Sequence, residues 1–236
     1  MKTVIITGAR SGIGKATAIK LKKMGFNVVG SYFSGLSSAK EIENKYDIKF
    51  IECNVSNYDS VENLFEFAKR TYGKIDVVIA NAGVALTQGL LIDQSAKDIA
   101  KVVETNFLGS AYTNKLAVSS MLNNGGKIIN VSSIFGLVGG SCEAIYSATK
   151  SAVIGLTRAL SEELESSSVE VCAIAPGLID TKMNSHLSLQ DKLSFLKECG
   201  LETLPIADDV ADEIYKIIST SESVNGRVFK LFTGKY

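Results

Sequence analysis

The sequence predicts one α/β domain, residues 1–236, built as a doubly wound parallel sheet with helices on both faces. Short β-rich segments alternate with amphipathic helical segments along the chain, which is the order found in parallel sheets. The β-rich segments are apolar on both faces, as strands are when helices cover a sheet from both sides. A glycine-rich turn follows the first strand, at the edge where such sheets bind dinucleotides. Together these observations indicate a Rossmann-type sheet.

The predicted strands are carried by seven segments, which read TVIIT, NVVGSY, KFIECNV, DVVIAN, GKIINVSS, EVCAIAP and, at the C-terminus, GRVFKLFTGKY. Helical periodicity is clear in four connections, at Lys15–Met24, Ser60–Tyr72, Ala96–Leu122 and Ser147–Glu165. The least patterned segment, about residues 184–200, follows the sixth strand. Because open α/β sheets place ligand-covering loops there, this segment is predicted to be a mobile cover over the substrate.

Composition narrows the class of partner. The 25 basic and 25 acidic residues cancel, so no net charge attracts nucleic acid or an anionic membrane, and a small-molecule partner is expected. The chain opens directly on a strand-like segment, KTVIITG, without the pattern of a secretory signal, and no apolar run approaches ~20 residues. We therefore expect a soluble, cytoplasmic protein.

The sequence lacks the residue patterns that are typical of metal sites and of histidine-based catalytic sites. The four cysteines, Cys53, Cys142, Cys172 and Cys199, show no CxxC or Cys/His spacing, and His186 is the single histidine. No metal site and no histidine-based triad are expected. The cysteines are expected to be reduced thiols, and Cys142 to act as a small apolar side chain rather than as a nucleophile.

The segment TGARSGIG places Gly8, Gly12 and Gly14 between the first strand and the first helix. Glycines allow a tight turn and let backbone N–H groups approach a pyrophosphate at the positive end of the helix. The spacing is GxxxGxG rather than GxGxxG, and the alternative is a glycine-rich turn without a ligand. The position of the turn at the carboxyl edge of the first strand favours a bound dinucleotide.

The end of the second strand indicates which dinucleotide is preferred. Chains that prefer NAD usually carry an acidic residue here, which binds the adenosine ribose. This chain reads GSYFSG at that place and has no acid before Glu41. A 2′-phosphate has room beside Arg10 and the nearby hydroxyl groups, which are those of Ser31, Tyr32 and Ser34. NADP(H) is therefore the predicted cofactor, with NAD(H) as the alternative, and Arg10 as a solvated surface charge is the competing interpretation.

Six motifs follow one another along the chain, TGARSGIG, ANAG, TNFLG, INVSS, YSATK and PGLIDTKM. With them the chain, from residue 3 to about residue 183, resembles the short-chain dehydrogenase/reductase family in its single-domain form. In overall look it is similar to bacterial 3-oxoacyl-(acyl-carrier-protein) reductase-like members. The resemblance implies a catalytic tetrad of Asn106, Ser133, Tyr146 and Lys150.

The glycine turn and the resemblance also imply a set of cofactor contacts. In chain order these are Gly8, Arg10, Ser11, Gly12, Ile13, Gly14, Tyr32, Asn54, Val55, Asn81, Ala82, Gly83, Tyr146, Lys150, Pro176, Gly177, Ile179 and Thr181. Asn54 stands where the family often has an aspartate that contacts adenine. By the same resemblance, Lys150 holds the nicotinamide ribose and Asn106 anchors a water molecule. Ile179 and Thr181 are implied to contact the carboxamide.

Tyr146 and Lys150 are four residues apart on a predicted helix, so their side chains share one face. Hydride transfer to a carbonyl leaves negative charge on its oxygen, which needs a proton donor. A free phenol has a pKa of about 10, and lowering that pKa by ~2 to 3 would need ~3 to 4 kcal/mol of phenolate stabilisation. The neighbouring ammonium is expected to lower the phenol pKa by supplying part of this energy. Surface packing is the alternative for an isolated YxxxK pair. Ser133 is predicted to bind the substrate oxygen, because the competing Ser132 points to the other side of the strand.

These features predict an NADP(H)-dependent oxidoreductase that interconverts a secondary alcohol and a ketone, with Tyr146 as general acid and base and Lys150 as its activator. One alternative is a 3-oxoacyl-(acyl-carrier-protein) reductase proper. Such reductases present several basic residues to the acidic carrier, whereas Lys127 is the only positive charge in the corresponding places here. Another alternative is a non-catalytic dinucleotide-sensing protein. A nucleotide-sugar epimerase would need a larger C-terminal domain.

Two further predictions concern substrate and assembly. Glu143, three residues before Tyr146, either reaches a polar substrate or caps the helix. The resemblance implies a homotetramer or homodimer formed through the two longest predicted helices. Val153, Leu156 and Leu160 form an apolar stripe that serves either this interface or the core.

Overall fold

The computed structural model describes residues 1–86, 88–185 and 187–234. In this part of the chain seven strands form one parallel sheet in the order β3-β2-β1-β4-β5-β6-β7. The strands are β1 (Thr3–Ile6), β2 (Asn27–Tyr32), β3 (Lys49–Glu52), β4 (Val77–Ala80), β5 (Gly126–Val131), β6 (Val169–Pro176) and β7 (Val228–Leu231). The predicted doubly wound sheet in a single domain is confirmed.

Helices connect the strands and cover both faces of the sheet. Those in the described ranges are α1 (Gly12–Lys23), α2 (Leu36–Tyr46), α3 (Tyr58–Tyr72), α4 (Ala96–Val103), α5 (Gly109–Met121), α6 (Ala144–Glu163), α7 (Leu189–Cys199) and α8 (Ala207–Ser219). Side chains of α1, α2 and α8 join one apolar core cluster, and side chains of α3 and α5 join the other. Among these described helices, none combines the length and the apolar content that crossing a bilayer requires.

Consecutive residues of β1 show why its sequence is apolar throughout. Val4 and Ile6 belong to the core cluster on one face of the sheet, and Ile5 belongs to the cluster on the other face. All three are fully buried. Side chains alternate between the faces of a strand, so a strand covered on both sides has no polar face to show.

One predicted helix is interrupted. The segment expected to run from Ala96 to Leu122 consists of α4 and α5 with one wider π-helical turn between them, at Glu104–Leu108. Such turns are frequently found at functional sites. The inserted turn contains Asn106, one of the four residues implied to be catalytic, and no periodicity in the sequence indicates it.

The segment of about residues 184–200 is more ordered in secondary structure than its sequence suggests. It contains α7, which begins with a capping box between Ser188 and Asp191 and ends at Gly200 with φ 66°. A serine followed three residues later by an acidic residue, and a glycine after the last turn, are the residue patterns typical of the two ends of a helix. None of the described residues of α7 is fully buried. A helix that packs little of its surface on the core needs no apolar stripe, so its sequence does not show the periodicity typical of a core helix. Its mobility stays a prediction, and His186 lies outside the described residues.

The position of the site follows from the strand order. β1 pairs with β2 on one side and with β4 on the other, and the chain leaves these strands toward opposite faces of the sheet. The connections therefore separate at the carboxyl ends of β1 and β4 and leave a crevice, which is where open α/β sheets bind ligands.

Candidate active site

A cavity of about 950 Å³ opens at the carboxyl edge of the sheet. Six strands contribute residues at or just after their ends, and examples are Gly8, Tyr32, Asn54, Asn81, Ser133 and Pro176. Every residue predicted to bind the cofactor lines this cavity except Gly14, which lies beneath its floor in the glycine turn. Three of the four implied catalytic residues line it too, namely Ser133, Tyr146 and Lys150.

The glycine turn has room only for glycine at two positions. Gly8 has φ 67°, and a Cβ atom on it would lie 3.0 Å from the Cα atom of Ala82. A Cβ atom on Gly14 would lie 2.5 Å from the Gly8 carbonyl oxygen and from Nδ2 of Asn81. The turn thus brings bare backbone to the cavity at the start of α1, where N–H groups are free to bind an anion. This arrangement fits the pyrophosphate of a dinucleotide.

Asn81 acts on the glycine turn rather than on the cavity alone. Its Nδ2 donates to the Thr7 carbonyl at 2.8 Å, and the backbone N–H groups of Asn81 and Ala82 donate to the Thr7 hydroxyl at 2.9 and 3.0 Å. These bonds fasten the end of β4 to the end of β1. The sequence analysis did not select Thr7, although a threonine directly before the first glycine is the signal that could have identified it.

The end of β2 differs in one respect from the sequence-based interpretation. Ser31 is 1% exposed, and its hydroxyl accepts from the Gly8 N–H at 3.3 Å. This hydroxyl therefore supports the glycine turn, and the hydroxyls that remain beside a 2′-phosphate are those of Tyr32 and Ser34. Arg10 lies across Gly35, where a Cβ atom would be 2.9 Å from one guanidinium nitrogen. The Arg10 side chain therefore lies beside Gly35, just after the end of β2, and is partly exposed.

Asn54 and Val55 form the wall after β3. Oδ1 of Asn54 accepts from the Ser56 N–H at 3.2 Å and from the Ser56 hydroxyl at 2.8 Å, so this oxygen stabilises its own turn. Val55 is 6% exposed and packs closely on Gly109. The amide nitrogen of Asn54 is the part of that side chain suited to an adenine contact.

The structure separates the two serines at the end of β5. The Ser132 hydroxyl donates to the Lys150 carbonyl at 2.8 Å and is buried in the protein. The Ser133 side chain instead makes a hydrogen bond with the Tyr146 hydroxyl. The Ser133 oxygen also accepts from the Phe135 N–H at 3.2 Å, which fixes its position. Ser133 is therefore the serine that faces the Tyr146 phenol.

Tyr146 and Lys150 lie one turn apart near the N-terminus of α6, with the ammonium nitrogen 5.7 Å from the centre of the phenol ring. Lys150 is 4% exposed and donates to the Val131 carbonyl at 2.8 Å. That carbonyl belongs to the last residue of β5, so the bond ties the ammonium to the strand that carries Ser133. The three side chains meet at one place on the cavity wall.

The electrostatics of this pair correct one expectation from the sequence. Burial raises the pKa of Tyr146 to about 12, against a smaller lowering by the Ser133 hydrogen bond, and the negative charge of Glu143 raises it further. Burial lowers the pKa of Lys150 to about 8. The predicted lowering of the phenol pKa is wrong for this structure, because loss of water disfavours the phenolate more than its neighbours favour it. At neutral pH the phenol carries its proton and the lysine is mainly charged.

Asn106 lies in the π-helical turn and is fully buried. Its Oδ1 accepts from the Val84 N–H at 2.8 Å, and its Nδ2 donates to the Val84 carbonyl at 2.9 Å and to the Thr149 hydroxyl at 3.2 Å. The side chain thus joins the loop after β4 to α6, beside Lys150. These bonds give Asn106 a positioning role between the two segments, and its implied role as the anchor of a water molecule stays a prediction. Thr149 is a partner that the sequence analysis missed.

The segment after β6 covers the glycine turn. The Gly177 N–H donates to the Leu231 carbonyl at 2.8 Å, which holds the chain against the end of β7. Thr181 then lies above Gly12, with its methyl carbon 3.8 Å from the place of a Cβ atom there. Helix α7 follows and closes the far side of the cavity with four residues, Asp191, Ser194, Phe195 and Glu198. Pro176 and Ile179 complete this wall.

Comparison with known proteins relates this geometry to characterised chains. Residues 2–192 match the family model described as short chain dehydrogenase. The 3-oxoacyl-(acyl-carrier-protein) reductase FabG of Rickettsia felis is 34% identical over 226 residues, which is 94% of this chain and 91% of that relative. The corresponding reductase of Staphylococcus aureus is 31% identical and covers 100% of this chain and 98% of its own length. Among solved structures, ElxO with NADP bound superimposes with a TM-score of 0.84 at 30% identity, covering 98% of this chain and 96% of ElxO.

Proposed function

The chain belongs to the short-chain dehydrogenase family of NAD(P)-dependent oxidoreductases, and we propose that it interconverts a secondary alcohol and a ketone with NADP(H) as cofactor. The observation that carries this proposal is the meeting of Tyr146, Ser133 and Lys150 on the wall of the cavity that the glycine turn also lines. A proton donor, a hydroxyl and a cation beside a dinucleotide cradle are the groups that carbonyl reduction requires.

The proposed chemistry divides the reaction between cofactor and chain. When bound, the nicotinamide supplies the hydride for reduction or accepts it in oxidation. Tyr146 donates its proton to the substrate oxygen during reduction, and its high pKa keeps that proton available at neutral pH. The Ser133 hydroxyl holds the substrate oxygen near the phenol. The Lys150 ammonium, 5.7 Å from the ring centre, stabilises the phenolate that remains after proton transfer.

The preference for NADP(H) is supported by the end of β2. No acidic residue occurs in GSYFSG, and the Arg10 side chain lies beside Gly35 at the N-terminus of α2. A guanidinium there can pair with a 2′-phosphate, whereas a carboxylate would repel it. The structural neighbours include ElxO with NADP bound and a tyrosine-to-phenylalanine variant of ElxO with NADPH bound.

Arg10→Ala is expected to lower kcat/KM for NADPH about 10- to 100-fold, because a charge-assisted phosphate contact is lost. The change for NADH should stay within roughly threefold, since NADH has no 2′-phosphate. Steady-state kinetics with both cofactors measure the two effects. Arg70→Ala, on the exposed side of α3, serves as the matched control and should leave both constants unchanged. Equal losses with NADPH and NADH would contradict the proposed role of Arg10.

The pH dependence of the reaction should report Lys150. Burial lowers the pKa of this lysine to about 8, so the cation is present below that pH and is lost above it. Tyr146, with a pKa of about 12, stays protonated across the same range. In the reductive direction, kcat/KM for NADPH should be level from about pH 6 to about pH 8 and fall above it. A profile that stays level to about pH 10 would contradict this assignment.

A 3-oxoacyl-(acyl-carrier-protein) reductase is the second candidate, because the curated relatives at 31% to 34% identity carry that name. One contact weighs against carrier docking. Lys127 donates to the Ile217 and Thr220 carbonyls at 3.2 and 2.9 Å and lies 3.7 Å from Glu170. Its charge is therefore used inside the protein, and it does not steer an acidic carrier.

NADPH oxidation measured against simple ketones and against one 3-oxoacyl group tests the proposed function. The 3-oxoacyl group is offered both on a carrier protein and on a short thioester. The proposal expects turnover of ketones and no advantage for the carrier-linked form. A strong preference for the carrier-linked substrate would establish the second candidate. Binding of NADPH without turnover of any substrate would instead favour a dinucleotide-sensing protein.

The oligomeric state and the cellular location are proposals that rest on the family resemblance. The protein is proposed to be a cytoplasmic homotetramer or homodimer. Of the predicted interface stripe, Val153 is fully buried in the protein, while Leu156 and Leu160 are only partly buried. The latter two are the residues of the stripe that a second copy can cover, and light scattering of the purified protein gives the number of copies.

A further inference from the structure

Three polar side chains are buried in the interior behind the cavity wall. They are Asn114 of α5, Asn130 of β5 and Thr157 of α6, and each is at most 1% exposed. None of the three is among the described residues that line the cavity. Polar side chains are seldom buried this completely unless their donors and acceptors are paired.

The two asparagines pair through both of their amide groups. Nδ2 of Asn114 donates to Oδ1 of Asn130 at 2.7 Å, and Nδ2 of Asn130 donates back to Oδ1 of Asn114 at 3.1 Å. Nδ2 of Asn130 also donates to the Thr157 hydroxyl at 2.9 Å. The remaining donors bond to backbone carbonyls, from Asn114 to Ser110 and from Thr157 to Val153, both at 2.8 Å. The three side chains therefore form a closed network.

This network repeats, further along both helices, the contact that Asn106 makes at the site. Nδ2 of Asn106 donates to the Thr149 hydroxyl at 3.2 Å. Asn114 and Thr157 follow Asn106 and Thr149 by the same eight residues, which is ~12 Å along a helix. Polar contacts thus tie α5 to α6 at two levels, one beside the catalytic residues and one about two turns away from them.

The network also ties β5 to α6, next to the contact of Lys150. Consecutive residues at the end of β5 each bond to α6. Asn130 donates to Thr157 at 2.9 Å, the Val131 carbonyl accepts from the Lys150 ammonium at 2.8 Å, and the Ser132 hydroxyl donates to the Lys150 carbonyl at 2.8 Å. Asn130 is the last residue of β5 that pairs with β4. The Val131 carbonyl lies just beyond that pairing, where the ammonium reaches it.

A buried polar network fixes the position of a helix more strictly than apolar packing does. An apolar helix face can shift on its neighbour and still be covered, whereas a shift of α6 along β5 would leave Asn130 and Thr157 unpaired in the interior. A single buried asparagine specifies register in coiled coils for the same reason. The contact between Lys150 and the Val131 carbonyl depends on the register of α6 on β5.

We propose that Asn114, Asn130 and Thr157 are positioning residues, which set the register of α6 on β5 and so hold the Lys150 ammonium on the Val131 carbonyl. The same register keeps the Tyr146 phenol beside Ser133. This inference rests on the proposed function, because it assigns these residues to the reaction proposed above. The three residues lie outside the cavity, so they act only through the place of α6.

Thr157→Val and Thr157→Ser separate the hydrogen bond of this side chain from its packing. Valine keeps the shape and removes the hydroxyl, whereas serine keeps the hydroxyl and removes the methyl group. In Thr157→Val, kcat for ketone reduction should fall about 10-fold or more, because small displacements of reacting groups are costly. KM for NADPH should stay within roughly twofold, since the glycine turn is untouched. Thr157→Ser should keep kcat within roughly twofold, although it also lowers stability.

The pH dependence of kcat/KM distinguishes positioning from a loss of stability. Without the Val131 carbonyl, burial disfavours the Lys150 cation further, so the pKa of this lysine should be lower in Thr157→Val than in the unmodified enzyme. The fall of kcat/KM on the alkaline side should begin at lower pH, and Thr157→Ser should restore it. Tyr146, with a pKa of about 12, stays protonated in this range. The other charged residues that line the cavity are the same in all variants, namely Arg10, Lys101, Glu104, Glu143, Lys182, Asp191 and Glu198.

Thr113→Val is the matched control. Thr113 is 1% exposed, and its hydroxyl donates to the Gly109 carbonyl at 2.7 Å, which is a bond within α5. The substitution removes an equally buried hydroxyl without separating two elements, so kcat and the pH profile should be unchanged. Equal losses of kcat in Thr157→Val and Thr157→Ser would overturn the inference. A Thr157→Val enzyme with unchanged kcat and pH profile would also overturn it, while leaving ketone reduction intact.

A second variant covers the case in which Thr157→Val is unfolded at the assay temperature, which urea unfolding detects. Asn114→Ala/Asn130→Val/Thr157→Val replaces the whole network by apolar side chains of similar total volume. It leaves no side chain of the network unpaired, so the cost of an unsatisfied buried group is avoided. This variant should fold and still show the lower kcat and the altered pH profile. Unchanged kcat in the folded triple variant would overturn the inference.

A titration of Lys150 keeps the inference testable if turnover is absent. The NMR signal of the Lys150 side chain in protein with isotope-labelled lysine, assigned by its absence in Lys150→Met, reports the pKa of the ammonium directly. A lower pKa in Thr157→Val, restored in Thr157→Ser, supports the inference even if no ketone is reduced, in which case only the proposed function fails. The same pKa in Thr157→Val and in the unmodified protein overturns the inference whatever the turnover shows.

Discussion

Tyr146→Phe is expected to lower kcat for ketone reduction by about 10²- to 10⁴-fold, the range that a positioned general acid contributes. The change removes one oxygen atom, which in the structure bonds to the Ser133 side chain. The aromatic ring and its packing remain, so the cavity keeps its shape. The affinity for NADPH should therefore change little, since the glycine turn and Arg10 are untouched. Stopped-flow or steady-state assays with NADPH and a ketone measure the loss, and NADPH titration measures the binding.

Tyr72→Phe provides a control for this experiment, because it removes the same oxygen from the last residue of α3, outside the cavity-lining set. It should leave kcat unchanged. If Tyr146→Phe kept kcat within roughly threefold of the unmodified enzyme, the proton would come from another group and the proposed mechanism would fail. If the unmodified protein bound NADPH and neither protein reduced any ketone, the dinucleotide-sensing alternative would be favoured instead.

Lys150→Met is expected to change activity and stability in opposite directions. Turnover should fall by about 10²-fold or more, because the phenolate formed at Tyr146 loses its cation. The free energy of unfolding at pH 7 should rise by about 2 to 3 kcal/mol, because a buried ammonium is replaced by an apolar side chain of similar length. Part of the gain is offset by the Val131 carbonyl, which loses its 2.8 Å hydrogen bond.

The pH dependence of this stability difference has a definite sign. Lysine has a pKa of 10.5 in the unfolded chain, and burial lowers the pKa of Lys150 to about 8 in the folded protein. Between these two values the unfolded chain binds more protons, so the stability of the unmodified protein rises with pH across that window. The advantage of Lys150→Met should be largest below about pH 8 and shrink toward about pH 10.5.

Urea unfolding at pH 7 and at about pH 10 measures both free energies. Lys97→Met, an exposed lysine in the first turn of α4, is the control and should shift neither. A Lys150→Met protein that is less stable than the unmodified one at pH 7 would show that the ammonium stabilises the fold, contrary to the reasoning from its burial.

The sequence located the fold well because its signals are local. Apolar segments of strand length, the glycines after β1 and the four-residue spacing of Tyr146 and Lys150 each depend on neighbours in the chain. The seven predicted strands all occur in the described structure, in the predicted order along the chain. Helix α7 was not predicted, because none of its described residues is fully buried and its sequence therefore lacks the apolar periodicity of a core helix.

The hydrogen-bond partners of individual polar atoms could not be predicted from neighbouring residues in the chain. Asn81 and Asn106 were both expected near the ligands, but the sequence did not indicate that Asn81 also fastens two strands or that Asn106 joins a loop to α6. Ser132 and Ser133 are adjacent in the chain, but one bonds to the Lys150 carbonyl and the other to Tyr146. Which partner each atom finds depends on residues far away in the sequence, which the folded chain brings within hydrogen-bonding distance.

The amino-acid sequence by itself determined the doubly wound sheet and the glycine turn at its carboxyl edge, and it selected most of the residues that the structure brings together around the candidate site. Only the tertiary structure decided the charge state of those residues and the place of Glu143 among them. The physical reason is that the periodicity of strands and helices is written in neighbouring residues, whereas the loss of water around Tyr146 and Lys150 is produced by packing of distant segments around them.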